Sequence, residues 1–261
     1  MGHQGPIYHA TATGAAKSTV NCHQTPQDLI FWAGWFCPFT QRSWIALEEK
    51  RIPYTYHEVN PYLKEEHFLA ISPKGLVPAI QHHGRPLHDS IVVSEYLEEA
   101  FFDDNAASDT ILPPSDPYQR GVARIWIDFI NKSVVPPFFR LLQAQSDEAE
   151  QKAMALQDLK DALAAVSSQV KGPYFFGDQF SLVDAVIAPW AVRDFILREY
   201  RGFNREEVLT WKQWAEALES RRSVRETSSD PEKYVEFNKT FLRKESHSLV
   251  GKAALEGRIL P

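Results

Sequence analysis

Cysteine is nearly absent from this chain of 261 residues: Cys22 and Cys37 are the only two. Two thiols build no disulfide framework, so the fold must rest on a hydrophobic core, and a reducing compartment suits it. Positive charge is also scarce. Lys and Arg number 28 against 34 Asp and Glu, a net charge of -6 at pH 7. No global positive field remains to hold a phosphate backbone, so nucleic acid is not expected as a partner. Long apolar runs are missing as well, each being interrupted by charge or proline well short of the roughly 18 residues of a membrane helix. The start shows no basic segment followed by an apolar one. Met1 and Gly2 are placed as for myristoylation, but Pro6 stands where Ser or Thr is wanted. The sequence therefore reads as that of a soluble, cytoplasmic protein that inserts in no membrane. What is present is ordinary: 44% hydrophobic and 24% charged residues, enough chain for one large domain or two.

Residues 1–27, rich in Gly, Ala, Thr, His and Gln, show neither a period of 2 nor one of 3.6 and read as a poorly ordered extension. From Asp28 the pattern changes. Leu29, Ile30, Phe31 and Trp32 form an apolar run suited to a strand buried on both faces. A helix from Pro38 to Lys50 follows, then a strand at Tyr54–Val59 and a short helix at Lys64–Ile71. Leu76–Gln81 and Arg85–His88, joined by His82, His83 and Gly84, have hairpin spacing. Ser90 opens a helix reaching Phe101. Residues 28–102 thus form one α/β domain. The acidic, proline-rich stretch 103–117 reads as a linker, and residues 118–261 read as an all-helical domain. Its helices are expected at Gly121–Val135, Glu148–Val170, Ser181–Tyr200, Glu206–Ser220 and Asp230–Arg243.

Cys37 is the most informative residue. It stands where the first strand meets the first helix, followed by Pro38, Phe39 and Thr40. Unpaired N–H groups and the positive end of a helix dipole favour a thiolate there, so an activated nucleophile with a lowered pKa is expected. A lone cysteine in an arbitrary position is more often a small buried hydrophobe. Thr40 occupies the place of a second cysteine, so disulfide exchange at Cys37 needs an external thiol to resolve it.

Several motifs in order resemble the glutathione transferase superfamily, and within it the omega-like, cysteine-type class. They are Trp35-Phe36-Cys37-Pro38-Phe39-Thr40-Gln41-Arg42, Gly75-Leu76-Val77-Pro78, Asp89-Ser90 with Ser94-Glu95-Tyr96-Leu97, Leu112-Pro113 with Asp116-Pro117-Tyr118, and Ser181-Leu182-Val183-Asp184. The resemblance implies a glutathione transferase fold, a thioredoxin-like domain followed by a helical one, and glutathione as co-substrate. It implies that Pro78 is cis, which lets the Val77 backbone pair with the cysteinyl unit of glutathione as an added strand would. Ser90 then suits the γ-glutamyl carboxylate, Asp89 the ammonium and Lys64 the glycyl carboxylate. Phe39 and Leu76 join these contacts. Asp89 stands where relatives more often carry Glu or Gln. Trp35, Arg193, Tyr234 and Phe241 are implied for the acceptor pocket, although aromatics at helical spacing are more often core. Ser181 and Asp184 form a capping box with a structural role. Trp211 and Trp214 look like core.

The reading that follows is a glutathione-dependent thiol transferase and reductase, acting on mixed disulfides, dehydroascorbate or glutathionylated ketones, and a homodimer. A conjugating transferase and a non-catalytic binding module of the same fold are the alternatives. No metal is expected, since His82, His83 and His88 lack zinc-ligand spacing.

Overall fold

A central apolar strand organises the first half of the chain. The computed structural model describes residues 9–60, 65–102, 110–113 and 116–258. In chain order α1 spans Gly14–Cys22, β1 Leu29–Ala33, α2 Pro38–Glu49, β2 Thr55–Glu58, α3 Glu66–Ile71, β3 Ala79–His82, β4 Arg85–His88 and α4 Ser90–Ala100. The sheet has the order β2-β1-β3-β4. β1 runs parallel to β2, with Trp32 opposite His57, and antiparallel to β3, which pairs with β4 as a hairpin. Alternation sorts the side chains. Phe31, Ala33, Tyr56 and Ile80 face the large core, while Trp32 and Ala79 face Phe68 and Ile71 of α3. Both faces being covered, β1 is apolar at every position. This is the thioredoxin-like order expected from the sequence. β3 starts at Ala79 rather than Leu76, since Pro78 has no N–H to give a ladder.

The extension is more ordered than the sequence suggested. Within residues 9–27, α1 packs against the second domain: Ala12 and Ala16 are buried, and Thr19 donates from Oγ1 to the Glu226 carbonyl at 2.7 Å. His23 follows on and accepts the Tyr56 N–H at 2.8 Å. The buried face of α1 consists of Ala16 and Thr19, small side chains of which only one is apolar, so the hydropathic period is faint.

The second half is helical among the described residues. α5 is Pro117–Phe129, α6 Val135–Gln143, α7 Ala149–Ser167, α8 Leu182–Arg201, α9 Leu209–Ser220, α10 Arg222–Glu226, α11 Pro231–Leu242 and α12 Leu249–Leu255. The single helix expected at Gly121–Val135 is instead α5, a π turn at Ile130–Val134 and α6. Pro136 and Pro137 offer no N–H to the carbonyls four residues earlier, and the backbone widens there. α8 is the buried axis. Asp184 accepts from the Ser181 N–H at 2.9 Å, the Phe175 N–H at 2.9 Å and Trp214 Nε1 at 2.8 Å. The capping box is thus structural, and Trp211 and Trp214 are both buried. Among the described residues no helix is long and apolar enough to cross a membrane.

Candidate active site

Gly34, Trp35 and Phe36 carry the chain from β1 to Cys37, which is the N-cap residue of α2 with extended backbone, φ -83° and ψ 121°. A side chain at Gly34 would meet the Phe36 ring at 2.7 Å, so any larger residue there would have to displace that ring. Cys37 is half-buried at one end of a cleft of about 1280 Å³. Its Sγ lies 3.7 Å from the Val77 carbonyl, and the Val77–Pro78 bond is cis.

Burial pushes the Cys37 thiol above its ordinary value. The Thr40 N–H and hydroxyl, the Phe39 N–H and the Arg193 charge pull the other way. The lowered pKa expected from the helix end is therefore reversed: those donors are present, but desolvation of the sulfur outweighs them. The Thr40 hydroxyl is buried with no partner at hydrogen-bond geometry, leaving the sulfur as the group it serves.

Asp89 caps α4 at a positive φ of 83°, its Oδ1 accepting the Ile91 and Val92 N–H groups at 2.9 and 3.1 Å. Its second oxygen takes no part in the cap. Ser90 is buried beside it. The Gly75–Pro78 loop closes this end, held by Ser72 Oγ, which donates to the Leu76 carbonyl at 2.8 Å.

Nine sequence-expected residues line this one cleft: Cys37, Phe39, Leu76, Val77, Pro78, Asp89, Ser90, Arg193 and Phe241. Trp35 and Tyr234 do not. Trp35 is 2% exposed, donates from Nε1 to the His9 carbonyl at 2.8 Å, and packs on Tyr234 with ring centroids 5.9 Å apart. Both are core residues behind the wall. Lys64 lies outside the described residues.

Sequence reasoning missed Phe36 and Phe237, which stack at 4.3 Å and line the cleft. Tyr234, Phe237 and Phe241 share one stripe of α11, but Tyr234, one turn nearer the helix start, is covered by Trp35 and Arg193, and only the two phenylalanines reach the cleft. Arg42 was also missed, although it lies in the motif around Cys37. It is 1% exposed, donates from Nε to the Val186 carbonyl at 3.0 Å and reaches toward Ser90 Oγ at 3.4 Å. Its guanidinium lies 4.4 Å from the Trp190 ring. Burial lowers its pKa to about 9, opposed by the charges of Asp89 and Cys37. Arg193 is likewise buried, donating to Gln41 Oε1 and the Pro189 carbonyl. Neither arginine is ion-paired among the described residues. Two such charges near Cys37 favour an anionic ligand or thiolate.

Residues 36–100 match the model of the glutathione S-transferase N-terminal domain, and residues 143–217 that of its C-terminal domain. A probable glutathione S-transferase, parC of Nicotiana tabacum, is 33% identical over 84% of this chain and 97% of its own length. Glutathione transferase Omega 3C from Trametes versicolor superposes with a TM-score of 0.84 and 49% identity, over 91% of this chain and all of its own. Rice GST1, solved in complex with glutathione, gives a TM-score of 0.73 at 26% identity over 84% of this chain and 97% of its own. The chain belongs to the glutathione S-transferase family.

Proposed function

We propose that the protein is an omega-like, glutathione-dependent thiol transferase and reductase with Cys37 as its nucleophile. The observation that carries this reading is a lone thiol at a helix N-terminus, open to a cleft and facing the Val77–Pro78 edge. Glutathione would run along Val77, with Phe39 and Leu76 beside it, its γ-glutamyl end at Asp89 and Ser90 and its glycyl end toward Lys64. Phe36, Phe237, Phe241 and Arg193 would form the acceptor side.

The Cys37 thiolate attacks the glutathionyl sulfur of a mixed disulfide. An enzyme–glutathione disulfide forms and the other thiolate leaves, taking a proton. A glutathione thiolate then attacks the glutathionyl sulfur, forming glutathione disulfide and restoring Cys37. Two glutathionyl groups thereby become one disulfide, and the two electrons go to the released thiol. With dehydroascorbate two glutathiones supply the two electrons; with a glutathionylated ketone the carbon leaving group takes the proton.

Conjugation, with glutathione itself as nucleophile, is the second reading, and the burial that opposes ionisation of Cys37 favours it. Cys37→Ala separates the two. Exchange and reduction should vanish while glutathione still binds, and the freed N–H groups should support a little conjugation of an aromatic halide. Full thiol transferase activity in Cys37→Ala would sink the cysteine mechanism. A homodimer is expected, and sedimentation showing a 30 kDa species alone would count against it.

A further inference from the structure

Outside the cleft, β2 and the start of α3 bring three metal-ligating side chains together. They are His57, Glu65 and His67, whose ligand atoms all lie within 4.8 Å of one another. The placement follows from the strand and the cap. His57 points to the face of the sheet opposite Tyr56, toward α3. Glu65 is the N-cap residue of α3 with extended backbone, φ -69° and ψ 143°, so its carboxylate turns back toward the first turn. It meets His67 Nε2 at 3.0 Å from its Oε2.

The imidazoles are held from beneath by Trp32, whose ring centroid lies 4.1 Å from that of His57 and 5.1 Å from that of His67. Trp32 is itself buried in the small cluster with Phe68 and Ile71. Two imidazoles from different elements thus share one aromatic floor, with the carboxylate beside them and the outer side open to solvent. An exposed His–Glu pair alone contributes little stability, and His57 is not needed for it.

We propose that His57, Glu65 and His67 form a site for a borderline divalent transition-metal ion, zinc in the first instance. Two imidazole nitrogens and one carboxylate oxygen suit Zn²⁺, Ni²⁺ or Cu²⁺ and not Mg²⁺ or Ca²⁺, which want oxygen donors. A four-coordinate zinc with ligands at about 2.0–2.1 Å holds neighbouring ligand atoms roughly 3.3 Å apart. The Glu65–His67 contact already meets that spacing, and His57 needs only a side-chain adjustment. Water takes the fourth position. The ion links the end of β2 to the start of α3, and so clips together the two ends of their connection. The site does not depend on the reading of the cleft.

The test is calorimetric titration of the full chain with ZnCl₂ at pH 7.5 in a non-chelating buffer, with Co²⁺ absorption as a second readout. One equivalent should bind with a micromolar dissociation constant. His67→Ala and Glu65→Gln should each weaken binding at least tenfold and leave metal-free melting and turnover unchanged. Cys22→Ser should bind as wild type, and the Co²⁺ spectrum should show d–d bands with no thiolate charge transfer. Undiminished binding in His67→Ala, loss of binding in Cys22→Ser, a thiolate band, or no saturable binding up to 1 mM zinc would each overturn the site.

Discussion

The guanidinium carbon of Arg193 sits 4.2 Å from the centroid of the Tyr234 ring, so the tyrosine backs the arginine and does not face the cleft. The Tyr234 hydroxyl accepts the Ser229 N–H at 3.0 Å. Tyr234→Phe keeps the ring and should lower stability by about 1 kcal/mol with no change in acceptor KM. Tyr234→Ala opens a cavity under Arg193 and should cost about 3 to 5 kcal/mol. Urea unfolding beside acceptor kinetics checks both; a changed KM in Tyr234→Phe at unchanged stability would return the residue to the pocket.

Because desolvation holds the Cys37 thiol above its ordinary value of 9.0, alkylation of the free enzyme by iodoacetamide should keep accelerating beyond pH 9. Thr40→Val removes a hydroxyl that favours the thiolate and should slow alkylation at pH 8 by roughly three- to tenfold. The profile then moves to higher pH. A wild-type midpoint below 9.0, or no effect of Thr40→Val, would show that the helix end outweighs burial after all.

Asp89 serves the fold as well as the expected ligand, so Asp89→Ala conflates the two. It should lose about 1 kcal/mol of stability from the α4 cap in addition to glutathione affinity. Asp89→Asn keeps a capping oxygen but not the charge. Its stability should stay within about 0.5 kcal/mol of wild type while glutathione binding weakens by about 1.5 to 3 kcal/mol. Denaturation and calorimetry together decide it: unchanged affinity in Asp89→Asn means that the carboxylate is a cap only.

Burial raises Asp184 from 3.8 to about 6, against the donors of Ser181, Trp214 and Phe175. Between those values the native state binds more protons than the unfolded state. This group therefore makes stability fall as pH rises through that window. Asp184→Asn cannot ionise. Its stability deficit relative to wild type, from the donors left without an acceptor, should be larger at pH 4.5 than at 7.5, by about 2 kcal/mol. Guanidinium melts at both pH values measure this; a deficit that grows with pH would mean that the carboxylate is ionised throughout.

Local patterns determined much of the molecule. The apolar run Leu29–Ala33, the Cys37–Pro38 helix start, the hairpin at Gly84 and the capping box Ser181–Asp184 are each set by neighbours in sequence, through propensity, capping and hydrophobic period. Most of the candidate site was legible for the same reason, because strand ends and helix N-termini place Cys37, Val77, Asp89 and Ser90. Small side chains hid α1, and the proline pair at Pro136 and Pro137 divided a helix whose hydrophobic period runs through it.

What the sequence by itself determined is the order of elements and which residues stand at their ends. Tertiary packing decided which turn of α11 stays open to the cleft, so that Phe237 lines it and Tyr234 supports Arg193. It also turned the Cys37 thiol upward and gathered His57, Glu65 and His67 on one face. These properties depend on how much solvent each group loses and on which distant elements pack against it, and neither is encoded in the spacing of nearby residues.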